Sequence, residues 1–371
     1  MTTRAHIVGW GKYVPERVLT NDELTHMVDT SDEWIRTRTG IVERHIAADD
    51  ETTATMAIEA AHQALEMANL RPTDLDLIIV ATATPDYPFP ATACLVQDSL
   101  GVPHAAAFDL GAGCSGFVYG VSVATGLIES GHYKNALVIG ADTLSRITDW
   151  EDRTTCVLFG DGAGAVVLHA NGAEGGVLSS VLGVDGSGGD LLYVPAGGSR
   201  QPPSHQTVSE RQHYLKMKGR EVFRFAVRAM PAATRLALSK AGLTLDDLDL
   251  VIPHQANYRI TEAAAKALKI PRDKVYSNVD RYGNTSTASI PIALCEAVEQ
   301  NQVHRDDLVA FVGFGAGLTW AAALVRWSAP LPYAPPTRWK RTWYDLSYRY
   351  AAARSLVRRF VRWLISRVIK D

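Results

Sequence analysis

The stretch Gly111-Ala112-Gly113-Cys114-Ser115-Gly116-Phe117 sets a cysteine among small residues where two patterns meet. An extended apolar run, Ala105-Ala106-Ala107-Phe108-Asp109-Leu110, leads in; Phe117, Val121, Ala124 and Ile128 lead out at helical spacing. A thiol at such a strand-to-helix elbow has backbone amides close by and a helix N-terminus that favours its thiolate. The bland alternative is a free buried cysteine. Two more residues occupy comparable places. Asp249-Leu250-Val251-Ile252 reads as a strand running into Pro253-His254-Gln255-Ala256-Asn257, with His254 at its tip. Arg281-Tyr282-Gly283-Asn284-Thr285-Ser286 precedes a helix from Ala288, which puts Asn284 at the second half's counterpart of the Cys114 elbow. Alone, His254 reads equally as a capping histidine and Asn284 as turn chemistry. Together, Cys, His and Asn permit two chemistries. One is a protease-like relay; the other is an acyl-transferring thiol with two donors aimed at a separate oxyanion.

The elements that must position these residues repeat. Ala64-Leu65-x-x-Ala68-Asn69-Leu70-x-x-x-Asp74-Leu75-Asp76-Leu77-Ile78-Ile79 matches Ala237-Leu238-x-x-Ala241-Gly242-Leu243-x-x-x-Asp247-Leu248-Asp249-Leu250-Val251-Ile252 at a constant offset of 173 residues. A second pairing sets Gly160-Asp161-Gly162-Ala163-Gly164 against Gly313-Phe314-Gly315-Ala316-Gly317, each beside an apolar strand. No Gly-Lys-Ser/Thr follows either loop, so they offer neutral amides rather than a phosphate cradle. The body reads as two similar α/β halves, residues 1–183 and 213–328, around a loop-rich insert, 184–212, crowded with Gly, Ser and Pro. Loops at the carboxyl ends of equivalent strands converge in such folds, and crevices there hold ligands.

Composition bounds the rest. Four cysteines in 371 residues, with no C-x-x-C or zinc spacing, argue for a reducing compartment and against a disulfide scaffold. The N-terminus enters a strand-like run with no basic-then-apolar signal segment, so a cytoplasmic protein is expected. No apolar run approaches the roughly 20 residues of a membrane span. The formal net charge of −3 conceals an asymmetry: residues 331–371 carry ten Lys/Arg and two Asp/Glu, a net of +8, against −11 for the rest. Pro330, Pro332, Pro335 and Pro336 form a linker within a tail of residues 329–371. Leu346, Tyr350, Ala353, Val357, Phe360, Leu364 and Val368 then recur at helical spacing, with most arginines on the remaining arc. Such a basic amphipathic helix, with Trp339, Trp343 and Trp363, packs on the body or dimer, meets an anionic membrane surface through residues 338–370, or stays disordered. A nucleic-acid role is not expected.

Gly113-Cys114-Ser115-Gly116-Phe117, Pro253-His254-Gln255-Ala256-Asn257, Gly283-Asn284-Thr285-Ser286 and Gly313-Phe314-Gly315-Ala316-Gly317 resemble the motifs of β-ketoacyl-acyl-carrier-protein synthase III. That family, of the thiolase superfamily, contains the initiating condensing enzymes of type II fatty acid synthesis. The resemblance covers about residues 4–327. It implies a five-layered αβαβα sandwich, a homodimer and no cofactor, the CoA thioester being a substrate. It implies that Cys114 takes an acyl group from acyl-CoA, with the amides of Cys114 and Ala316 as oxyanion hole. Malonyl-acyl-carrier protein then loses CO2 while His254 and Asn284 hold the enolate oxygen and Phe314 lies against the cysteine. By the same resemblance Trp34 and Arg153 sandwich adenine, and Thr30, Arg38 and Asn257 hold the nucleotide and pantetheine arm. Arg220 departs from the asparagine some members have near the pantetheine. Arg224, Arg259 and Lys266 match the carrier-protein docking patch, in which Ala267 replaces a common lysine. Phe89 matches the ring inserted into the partner's acyl pocket, where its bulk favours a short primer. A secondary-metabolic condensing enzyme or acyltransferase of the superfamily is the alternative function. A hydroxymethylglutaryl-CoA synthase type lacks its glutamate base here, and a non-catalytic scaffold would not need Cys114, His254 and Asn284.

Overall fold

The structure, a computed structural model, describes residues 3–329 and, beyond them, 346, 350, 353–358, 360, 361, 363–365 and 367. Pro330, Pro332, Pro335, Pro336, Trp339, Trp343 and Val368 lie outside the described residues. A five-stranded sheet runs in the order Arg4–Tyr13, Gly162–Asn171, Asn135–Asp142, Leu77–Ala81, Ala106–Leu110. A four-stranded sheet runs Gly176–Val184, Thr319–Arg326, Leu308–Gly315, Leu250–Pro253. In the first sheet Leu77–Ala81 pairs in parallel with both Asn135–Asp142 and Ala106–Leu110, in the second Leu250–Pro253 pairs in parallel with Leu308–Gly315, and the other pairings are antiparallel. The fifth strand of the second sheet has shrunk to one parallel bridge between Val251 and Val275.

The strands are apolar throughout because both faces are covered. Leu77 and Ile79 point to a middle layer, while Ile78 and Val80 point to an outer one. That alternation is the period-two geometry of a strand. The helices Gly116–Glu129 and Ser289–Glu299 fill the middle between the sheets, through Phe117, Val121, Ile290 and Leu294. Thr53–Ala68 and Thr92–Leu100 cover one outer face, Gly219–Ala241 and Tyr258–Leu268 the other. The result is the αβαβα sandwich.

The 173-residue offset holds well beyond the segment in which the sequence displays it. Leu77 and Leu250 open equivalent strands, Asn135 and Leu308 likewise, and Gly116 and Ser289 open the two middle helices. The turn Gly113–Ser115 therefore corresponds to Ser286–Ala288. Thr287, not Asn284, stands at Cys114's equivalent position, and Asn284 lies three residues upstream. Gly176–Val184 hydrogen-bonds to Thr319–Arg326 as the counterpart of Arg4–Tyr13, so by sheet membership the second unit starts before the loop-rich insert. No helix among the described residues is long and apolar enough to cross a membrane.

Candidate active site

Cys114 sits in the 3-10 turn Gly113–Ser115 that opens its helix. Gly315, at the end of Leu308–Gly315, crosses this turn so closely that a Cβ there would lie 2.4 Å from the Cys114 amide nitrogen. A Cβ on Gly113 would reciprocally lie 2.7 Å from the Ala316 nitrogen, and Gly113 holds φ +52°. Two glycines thus let the backbones meet, which sets the amides of Cys114 and Ala316 side by side. The Ser115 and Thr319 hydroxyls lock the crossing: each donates to the Ala112 carbonyl at 2.8 Å, and they lie 2.7 Å apart.

His254 follows Leu250–Pro253 directly and is buried, its amide bonded to the Val312 carbonyl at 2.8 Å. Burial pulls its imidazole down to about 3, so the ring is neutral at working pH. Its Nδ1 lies 2.7 Å from the Ser289 hydroxyl, which also accepts from the Gln255 amide at 3.4 Å. In the tautomer whose Nδ1 accepts the Ser289 hydroxyl proton, Nε2–H is the ring's donor. Phe314 stands edge-on to this ring, centroids 5.2 Å apart. The resemblance put Phe314 against the cysteine; its recorded ring contact is with His254.

Asn284 is clamped by backbone hydrogen bonds to Leu158 (2.8 Å) and Gly160 (3.1 Å). Its Oδ1 accepts from the Ser286 amide at 2.9 Å, which orients the side chain and reserves Nδ2 as donor. Ser286, strained at φ +52°, sends its hydroxyl to Cys114 Sγ at 3.4 Å. The fully buried Asp142 anchors this turn from the first half. Its carboxylate accepts from the Thr287 amide and hydroxyl (3.0 and 2.8 Å) and from Thr82, Ala83 and Thr84. Ser286, Ser289 and Asp142 went unassigned in the sequence; the only signal was the hydroxyl-rich run from Thr285 to Ser289.

The thiol departs from the elbow expectation. Burial pushes Cys114 up to about 12, opposed by the Ser286 hydrogen bond, and the Asp142 charge adds to the rise. The resting side chain is a thiol. A Ser286→Ala protein, losing a donor worth about 1 kcal/mol, should raise the thiol by about 0.7 of a pH unit. The pH profile of iodoacetamide alkylation checks this, and an unmoved profile refutes it.

The outlying residues fall in three groups. Arg153 stacks on Trp34, its guanidinium 5.0 Å from the ring centroid, and also holds the Asp29 carbonyl at 2.8 Å. The Thr30 hydroxyl nearby in sequence is buried without a partner. Asn257 caps Tyr258–Leu268 by accepting from the Arg259 amide at 2.9 Å, and donates to the Arg38 carbonyl at 3.1 Å. Arg224, Arg259 and Lys266 lie exposed on the paired outer helices, extended by Arg272 and interrupted by Glu262; Arg259 sits 5.8 Å over Phe223. Phe89 is 85% exposed on the loop before Thr92–Leu100.

One half thus carries the Cys114 thiol, the other a neutral imidazole and an amide side chain, and the Ser286 hydroxyl joins the two at the thiol. That division places the chain among condensing acyltransferases of thiolase architecture. The family model described as 3-Oxoacyl-[acyl-carrier-protein (ACP)] synthase III matches residues 108–186, and that of its C terminal matches residues 238–327. The β-ketoacyl-[acyl-carrier-protein] synthase III of Caldanaerobacter subterraneus subsp. tengcongensis is 57% identical over 324 residues, 87% of this chain and 98% of the relative. That of Roseiflexus castenholzii is 55% identical over 329 residues, 89% of this chain and 100% of the relative. The crystal structure of 3-oxoacyl-[acyl-carrier-protein] synthase III from Aquifex aeolicus superposes with a TM-score of 0.81 at 50% identity, covering 87% of this chain and all of that one. The chain belongs to the β-ketoacyl-[acyl-carrier-protein] synthase III family and is an acyltransferase.

Proposed function

We propose that the protein condenses an acyl-CoA primer with malonyl-acyl-carrier protein and releases a β-ketoacyl-carrier protein. The observation that carries this reading is the paired amides of Cys114 and Ala316 beside a thiol, with two neutral donors on the other half. Cys114 attacks the thioester carbonyl of acyl-CoA. The tetrahedral oxyanion rests on the two amides, CoA leaves as its thiol, and the acyl group stays on sulfur. The malonyl thioester then enters. His254 Nε2–H and Asn284 Nδ2–H bind its carbonyl oxygen, the carboxylate departs as CO2, and its bonding electrons become an enolate stabilised by both donors. The enolate carbon attacks the acyl-cysteine, the C–S bond breaks, and the sulfur regains a proton. Asn284 is spent on the substrate here rather than on orienting His254 as a protease base.

Trp34, Arg153, Thr30, Arg38 and Asn257 are proposed to hold the CoA. Stacked on each other, Trp34 and Arg153 offer a purine a planar slot that opens as it enters. The orphan Thr30 hydroxyl supports a polar ligand there. Arg224, Arg259 and Lys266 are proposed to dock the acidic carrier protein. The proposed protomer is half of a cytoplasmic homodimer. Ala106–Leu110 ends its sheet with a free edge and an exposed Phe108, and Phe89 projects from the neighbouring loop, available to a partner's acyl pocket. Intact-mass spectrometry tests the reaction: acetyl-CoA adds one acetyl group at Cys114, and malonyl-carrier protein removes it with release of CO2. No adduct refutes the reading. An adduct that persists without CO2 release favours the non-elongating acyltransferase.

A further inference from the structure

The curated relatives are matched almost end to end, and 42 of the 371 residues fall outside the longer of these matches. The family model stops at residue 327, so the excess is the basic tail. Its described residues adopt helix at 353–358 and at the separate positions described beyond. Ser355 is buried, 9% exposed, and donates to Asp98 Oδ2 at 2.5 Å on the outer helix Thr92–Leu100. At 100° per residue, Val357, Phe360 and Leu364 lie roughly 140–200° around the helix from Ser355. They are 61%, 57% and 41% exposed. Among the described tail residues Ser355 alone is buried, so its side of the helix meets the body while Val357, Phe360 and Leu364 face outward. A helix docked to complete a core does the reverse.

We infer that this outward arc docks on an anionic lipid bilayer, with the tail as a peripheral anchor for the enzyme. Charge selects the occupant. The segment from residue 331 carries +8, and Arg354, Arg358 and Arg367 are exposed around the apolar arc. Guanidinia at the margins of a hydrocarbon face reach lipid phosphates while the face enters the headgroup boundary. Trp363 stacks on Phe360 (centroids 5.7 Å) with Arg367 4.1 Å over its ring, an aromatic–cation group suited to that interface. A second copy of the tail would cover the arc only by bringing two such positive segments together. An acidic protein would match the arginines but leave most of the apolar arc wet.

The test is co-sedimentation of the full chain with vesicles of phosphatidylglycerol and phosphatidylcholine, and with phosphatidylcholine alone. The parent should pellet with the anionic vesicles, and its binding should fall as salt rises. The double variant Phe360→Glu, Leu364→Glu should bind at least ~10-fold more weakly. Both proteins should acylate Cys114 from soluble acyl-CoA at equal rates, because Phe360 and Leu364 are exposed and stand on the tail, outside the segments that carry the reacting groups. Equal partitioning of parent and variant overturns the inference, as does a parent that stays in the supernatant. A variant that halves the mass of the assembly in sedimentation velocity also overturns it, by showing that the arc joins protomers.

Discussion

A Cys114→Ala protein is expected to lose acyl transfer and condensation entirely, yet to keep releasing CO2 from malonyl-carrier protein. His254→Ala is expected to do the opposite: it takes the acyl group at near-parental extent and loses decarboxylation by ~10²–10³-fold, the usual cost of one preorganised donor. Asn284→Ala should match it, and the two losses should combine less than additively because both donors serve one oxygen. The separation follows from which half supplies what. Cys114 and the amides proposed to hold the oxyanion come from the loop crossing at Gly113 and Gly315. His254 and Asn284 are held by Ser289, Leu158 and Ser286, contacts that do not need the thiol to be acylated. Decarboxylation should also persist without change well below neutrality, since His254 is already neutral far above about 3 and donates in that form. The checks are CO2 release and intact mass on each variant. A His254→Ala protein that cannot be acylated would make the imidazole the thiol's base and return the site to a relay.

Much of this site was legible because duplication writes one half's grammar into the other. The repeat at 173 residues located equivalent strands, and strand ends located His254 and the Asn284 loop. Register within the repeat was less legible. Asn284 resembles an elbow residue, but the helices align Cys114 with Thr287, because the turn has a fixed length before each middle helix. Gly176–Val184 reads as a continuation of the first half, yet its partner is Thr319–Arg326, more than 130 residues away. A strand's sequence states its burial, not its neighbour. The thiol's state was also out of reach. A helix N-terminus lowers a thiol locally, whereas the burial that raises it is assembled from both sheets. Asp142 shows the same limit. It is one acid at a strand end in the sequence, and in the fold it bonds Thr287 across the interface between the halves.

Gly315→Ala is the substitution expected to cost most per atom added. Gly315 has φ −166° and ψ −171°, extended backbone that alanine adopts freely, so conformational strain is not the issue. The issue is space: the new methyl would sit 2.4 Å from the Cys114 nitrogen and 3.1 Å from the Ser115 nitrogen. Both obstacles are backbone, so no rotamer change relieves them, and the two loops must separate. Separation by even an ångström removes Cys114 N–H and Ala316 N–H from a common oxygen. Acylation should fall by ~10²–10³-fold. The overpacking should also destabilise the fold by about 1–3 kcal/mol, seen as a lower melting temperature. CoA binding should change little, because Trp34 and Arg153 stand on other segments. Gly111→Ala is the matched control. Its Cβ would meet nothing within 4 Å, and it should acylate at the parental rate. Stopped-flow measurement of CoA release separates the two variants. A Gly315→Ala protein acylating as fast as Gly111→Ala would mean that the oxyanion is held elsewhere, since no arrangement of the crossing admits the methyl and keeps both amides in place.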